Sequence, residues 1–143
     1  MAGIVKSLSV AEAIDGAISS WCEVPFNWGS SDCILSIADI VQVRFGYDPA
    51  APYRGRYRTM RGALRVTKPD GGFAGAVIGA ALRHGWLAIP ASEARDGDVG
   101  LVRCEKGLRI GVIKRGPRWL CRIEGCGFHA LETKDVERAW RVR

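Results

Sequence analysis

The chain has 143 residues, 48% hydrophobic and 25% charged, so one domain can bury a core without disulfide bonds. Its longest uncharged stretch, 71–82, is too short and too rich in glycine to span a bilayer, and its first residues lack the pattern of a secretion signal. We therefore expect a single domain over 1–143 that starts in a cytoplasm, has no membrane span and keeps its five cysteines as free thiols.

The formal charge of +6 is distributed unevenly along the chain. Residues 103–143 carry 11 Lys/Arg against 5 Asp/Glu, whereas the residues before them are balanced. A second basic segment, 54–68, has no acidic residue and contains Arg54, Arg56, Arg58, Arg61, Arg65 and Lys68. This distribution favours an acidic partner, and an ordinary solvated surface explains it equally well.

The first part of the chain predicts helices. Ser9 and Glu12 form a capping box ahead of apolar residues at helical spacing, which predicts a helix over about 10–22. A second helix is predicted to begin at Cys33 or one residue earlier and to stop at Gly46. The next predicted segments are an exposed loop over 47–58, a short helix near 59–66 and a third main helix over 73–84.

After Pro90 the pattern changes to short apolar runs separated by glycine, proline or charged turns, which is typical of antiparallel strands. The predicted strands cover 98–103, 109–114, 118–124 and a short segment around Phe128. Because helices come first and strands follow, the predicted fold class is α+β, with N-terminal helices packed on a small C-terminal antiparallel sheet.

Cys33 is the candidate nucleophile, because it lies at the predicted start of an apolar helix. Unpaired backbone N–H groups and the positive end of the helix dipole favour the thiolate there, and the same N–H groups can hold an oxyanion. Attack on a carbonyl also needs a general base and a group that orients it. On spacing by itself, a buried packing cysteine is the more common interpretation.

Three motifs in chain order extend this interpretation. They are Pro25 to Gly29 followed by Asp32-Cys33, then Ala94 to Val102, and then Arg109 to Ile113. Together they resemble NlpC-type cysteine peptidases, papain-like enzymes that cut the stem peptides of peptidoglycan. The resemblance implies a papain-like fold with Cys33 as the nucleophile.

The resemblance departs from the family at the catalytic base. The family's histidine falls at Arg109, and its orienting polar residue falls near Cys121 or Arg122. Arginine stays protonated at any working pH and cannot act as a base. His129, on the last predicted strand, is the candidate replacement, although an exposed or hydrogen-bonded strand histidine is the commoner case. His84, at the end of a predicted helix, is expected to be structural.

The remaining polar residues have simpler expected roles. Asp32 is expected to cap the second helix, and Asp39, inside that apolar helix, is expected to pair with an arginine of the basic segment. Cys104, Cys121 and Cys126 lack the spacing of a zinc site, so neither a metal nor a cofactor is expected. Nucleic-acid binding is a minor alternative, because no stacking motif or groove-reading helix is present.

A longer set of motifs covers nearly the whole chain: Trp21 to Cys33, Ala38 to Val41, Gly46 to Pro49, Arg54 to Tyr57, Gly71-Gly72, Ala94 to Val102 and Ala139 to Val142. This pattern is also similar to small phage proteins encoded among tail-tip genes, which are related to the NlpC-type peptidases. The resemblance implies a virion protein, assembled in the host cytoplasm, whose partners are the hub, the distal tail and the central fibre region. Peptidoglycan is a further candidate ligand. Two functions stay open: a structural protein on a degenerate peptidase scaffold, or an active endopeptidase that opens the cell wall during DNA entry.

Overall fold

Helices and strands are segregated along the chain. A computed structural model describes residues 8–104, 107–125 and 127–143, and within these ranges it contains four α-helices and six β-strands. The helices are α1 (Val10–Glu23), α2 (Leu35–Phe45), α3 (Met60–Thr67) and α4 (Gly72–Arg83). The strands are β1 (Leu87–Ile89), β2 (Val99–Arg103), β3 (Arg109–Arg115), β4 (Arg118–Arg122), β5 (Phe128–Leu131) and β6 (Val136–Arg141). Single 3₁₀ turns cover Lys68–Asp70, Ala91–Glu93 and Thr133–Asp135.

The strands form one antiparallel sheet in the order β1-β6-β2-β3-β4-β5. The α+β class is therefore confirmed. The sheet is larger than the four predicted strands, because β6 inserts between β1 and β2. The sequence VERAWR hides this strand, since Glu137 and Arg138 near its start are charged and exposed. Only Ala139 and Trp140 are deeply buried, and they face opposite sides of the sheet.

The helix termini follow local signals. Ser9 and Glu12 form the predicted capping box at the start of α1, and Gly46 ends α2 in a left-handed conformation. Thr59 caps α3 by accepting a hydrogen bond from the backbone of Gly62 at 3.0 Å. All four predicted helices are confirmed, with α2 beginning at Leu35.

The helices pack on one face of the sheet. Leu101, Ile113 and Trp140 point toward this layer, where residues of α1, α2 and α4 cover them. Gly111 lies under α2 and α4, where a Cβ would make ordinary van der Waals contacts of 3.6 Å with Ile37 and Val77. A second cluster occupies the opposite face and consists of Val102, Val112, Trp119, Cys121 and Ala139.

The segment 47–58 contains neither helix nor strand, as predicted, but it is not simply exposed. Ala50, Tyr53 and Tyr57 are buried in a cluster with Leu35 of α2. The segment therefore forms part of the core beside the turn that carries Cys33.

Candidate functional site

A tight turn places Cys33 just before α2. Asn27 and Ser31 exchange backbone hydrogen bonds at 3.2 and 2.9 Å, and the Ser31 hydroxyl donates to the Pro25 carbonyl at 2.9 Å. Gly29 has φ +92°, and a Cβ there would lie 2.2 Å from the Tyr57 carbonyl oxygen. Glycine is thus required in the turn by both backbone conformation and close approach.

Asp32 holds this turn together and caps α2, as predicted. Its side chain is fully buried, and one carboxylate oxygen accepts hydrogen bonds from the backbones of Ile34 at 2.9 Å and Leu35 at 2.8 Å. The other oxygen accepts from the Gly29 backbone at 2.9 Å and from the Tyr57 hydroxyl at 2.7 Å. Four donors therefore satisfy a buried carboxylate. Tyr57 is 25 residues away in sequence, so no local pattern reveals this partner.

The Cys33 thiol is buried, with only 8% of the residue exposed. Burial raises the pKa of Cys33 to about 12, and the negative charge of Asp32 next to it acts in the same direction. Together they outweigh the hydrogen bond from the Cys33 backbone, which acts to lower the pKa. The same aspartate that builds the turn thus disfavours the thiolate.

Cys33 borders a cleft of about 650 Å³, here called the Cys33 cleft. Its apolar lining includes Phe26, Trp28, Met60, Phe73, Ile110 and Leu131, and its polar lining includes Arg103, Arg122, Glu124, His129 and Asp135. The Trp28 ring stacks on Phe73 with centroids 6.3 Å apart and meets Phe26 edge-on at 5.0 Å. The volume lies in the range of small-molecule sites.

The structure brings both predicted site residues to this cleft. His129 lies on β5, directly opposite Cys121 of β4, and its side chain is exposed. Among the described residues that line the cleft, His129 is the one histidine. His84 lies elsewhere, at the end of α4, where it stacks on the Tyr47 ring at 4.2 Å.

Arg109 does not reach into the cleft. Its Nε donates to the Glu137 carboxylate at 2.9 Å, in a half-exposed ion pair between β3 and β6. Cys121 lies at the expected position of the group that orients the base. Burial raises the pKa of its thiol to about 11. Arg122 is buried next to it and donates to the carbonyl of Val24.

Cys104 also lines the cleft, which sequence reasoning did not anticipate. Its Sγ donates to the Leu108 carbonyl at 3.1 Å, and it lies close enough to Cys33 and Cys121 to raise the pKa of both thiols. Within the described ranges, no group of three or more His, Cys, Asp or Glu side chains is arranged to hold a metal ion. Cys126 lies outside the described residues.

The predicted partner of Asp39 is confirmed as Arg54. The Arg54 guanidinium donates to Asp39 at 2.9 Å and also to Asp48 at 2.7 Å. It therefore joins α2 to the 47–58 segment. In the described part of the chain, no helix is long and apolar enough to cross a membrane.

The fold and the cleft define a class: an α+β domain in which a cysteine-bearing turn borders a cleft next to an antiparallel sheet. A family described as a domain of unknown function, DUF6950, matches residues 8–142, and the chain belongs to that family. A comparison with curated proteins found no match.

Proposed function

We propose that this protein is a structural component of a phage tail tip, built on an NlpC-type peptidase scaffold that has lost its chemistry. Its expected partners are the hub, the distal tail and the central fibre region, and it assembles in the host cytoplasm. The resemblance of the motifs supports the setting. The chemical state of Cys33 supports the loss of catalysis.

The observation that carries the proposal is the buried, protonated thiol. With its pKa raised to about 12, Cys33 is protonated at pH 7. A cysteine peptidase needs that thiolate as its nucleophile. A thiol that is both covered and protonated serves packing better than attack.

The neighbourhood of Arg109 supports the same conclusion. A guanidinium cannot accept the proton that a nucleophilic thiol must lose. Here it is also engaged with Glu137 at 2.9 Å, away from the cleft. Loss of a general base typically lowers a rate about 100- to 10,000-fold.

Alkylation by iodoacetamide across about pH 6 to 9 tests this proposal, with sites assigned by mass spectrometry. Cys22 is exposed and serves as an internal control for the reagent. We expect Cys22 to react over this range and Cys33 to react only after the protein is unfolded in urea. Labelling of native Cys33 at pH 7 or below would overturn the proposal.

A second experiment addresses the biological role. Phage carrying Cys33→Ala should assemble, adsorb and degrade the host wall like wild type. A packing role at this edge of the core tolerates the smaller alanine side chain, whereas a catalytic role would require the thiol. Loss of wall degradation with normal assembly would contradict the structural role.

An active cysteine endopeptidase is the second candidate, because Cys33 and His129 line the same cleft. In that case both Cys33→Ala and His129→Ala should abolish release of stem-peptide fragments from purified peptidoglycan. His84→Ala is the matched control, since His84 is stacked on Tyr47 outside the cleft. If all three variants and the wild type release no fragments, the structural proposal stands.

A further inference from the structure

Four cations form a line on the outer side of α3 and the residue pair before it. Arg58, Arg61, Arg65 and Lys68 are all exposed, and we call them the basic stripe. Arg61, Arg65 and Lys68 lie within an arc of about 60° on a helix of 3.6 residues per turn, and Arg58 lies two residues before the helix begins. The opposite side of α3 is packed, with Ala63 and Thr67 fully buried. The stripe therefore faces solvent as one surface.

The basic stripe is held rigidly. Thr59 caps the helix, and the Thr67 hydroxyl donates to the Ala63 carbonyl at 2.8 Å. Just before the stripe, Tyr57 is buried and bonded to Asp32. Because the backbone below it is fixed by these contacts, a partner would not need to order the helix on binding.

The charge of the stripe is not neutralised within the described part of the chain. Arg54, which precedes it, pairs with Asp39 and Asp48. In contrast, no carboxylate of the described residues lies within 4.0 Å of a cation of the basic stripe. The ion pairs formed among the described residues all use other cations. Four like charges on one rigid surface raise the local potential and attract an anionic partner.

We propose that the basic stripe docks against an acidic helix of a partner protein. From Arg61 to Lys68 the cations run along roughly 10 Å of helix at 1.5 Å per residue. Carboxylates three and four residues apart on a facing helix match this spacing. A nucleic acid is a poorer match, because the stripe has no aromatic ring on which a base can stack and Tyr57 beside it is buried. The inference rests on the proposed function only in naming a protein as the partner.

An NMR titration of the isotopically labelled full chain tests this docking surface. The probe is an alanine-based helical peptide with glutamates along one face, compared with a peptide of the same composition whose glutamates surround the helix. We expect the one-face peptide to shift the amide signals of 58–68, and the effect to weaken strongly between about 20 mM and about 300 mM NaCl.

Matched charge-reversal variants distinguish binding by the basic stripe from a general effect of the protein's net charge. Arg61→Glu with Arg65→Glu should raise the Kd of the one-face peptide about fivefold or more. Arg44→Glu with Arg118→Glu changes the net charge equally at exposed arginines of α2 and β4, and should change the Kd by less than about twofold. Preserved dispersion of the remaining amide signals shows that each variant is folded.

Three results would overturn the inference: equal affinity for the two peptides, equal weakening by the two variants, or tighter binding of a short DNA duplex at the same amides. The experiment uses purified protein without cell wall. A reactive Cys33 would therefore refute the proposed function without changing the titration, and failure of the titration would leave the labelling result unchanged.

Discussion

Replacing Asp32 by asparagine is expected to destabilise the fold, although the two side chains have nearly the same shape. The Asp32 carboxylate is fully buried and accepts four hydrogen bonds, two on each oxygen. Asparagine keeps one acceptor oxygen, which can still serve the backbones of Ile34 and Leu35. Its NH₂ group would then face two donors, the Gly29 backbone and the Tyr57 hydroxyl.

The magnitude follows from this mismatch. The tyrosine hydroxyl can rotate and accept from the new amide, whereas the Gly29 N–H loses its acceptor. One buried donor left unsatisfied costs about 1–3 kcal/mol, and the bonds that remain lose their charge assistance. We therefore expect Asp32→Asn to lower the free energy of unfolding by about 2–4 kcal/mol.

Urea denaturation of the wild type and the variants measures this effect. Tyr57→Phe is the matched control, because it removes one of the four donors and leaves the carboxylate with three; we expect it to cost about 1–2 kcal/mol. The double variant should cost less than the sum of the single variants, since the bond that Tyr57→Phe removes has already lost its charge assistance in the asparagine background. An Asp32→Asn protein within about 0.5 kcal/mol of wild type would refute the reasoning.

Two further predictions concern the same region. Gly29→Ala should lower the free energy of unfolding by at least about 3 kcal/mol, because its Cβ would lie 2.2 Å from the Tyr57 carbonyl oxygen. Gly55→Ala, also at positive φ but with open space around it, should lower it by about 1 kcal/mol. Equal melting temperatures for the two variants would contradict the close approach. Arg54→Ala should cost about 0.5–1 kcal/mol at pH 7, because water screens its partly exposed ion pair. The hydrogen bond from Arg54 lowers the pKa of Asp48, so this stability is present above the unfolded pKa of about 4 and is lost as the pH falls through the folded pKa. Urea denaturation should thus show variant and wild type converging below about pH 4, and a constant difference would argue against the ion pair.

The helices could be predicted from the sequence because their signals are local. The capping box at Ser9, the left-handed glycine at Gly46 and the cap at Asp32 each act within four residues of the position they determine. Apolar residues at helical spacing then indicated the buried face of α1, and short apolar runs between turns indicated the central strands. The sequence also predicted that Asp39 pairs with an arginine of the basic segment, and the structure identifies this arginine as Arg54.

The sequence by itself thus determined the helices, the central strands, the α+β class and the position of Cys33 beside a capping aspartate. The tertiary structure decided the rest, because those properties depend on contacts between distant segments. The β6 strand is stabilised by pairing with β1 and β2, and not by its own charged sequence. The pKa of Cys33 is raised chiefly because neighbouring segments bury the thiol, and the sequence by itself does not reveal how deeply they do so.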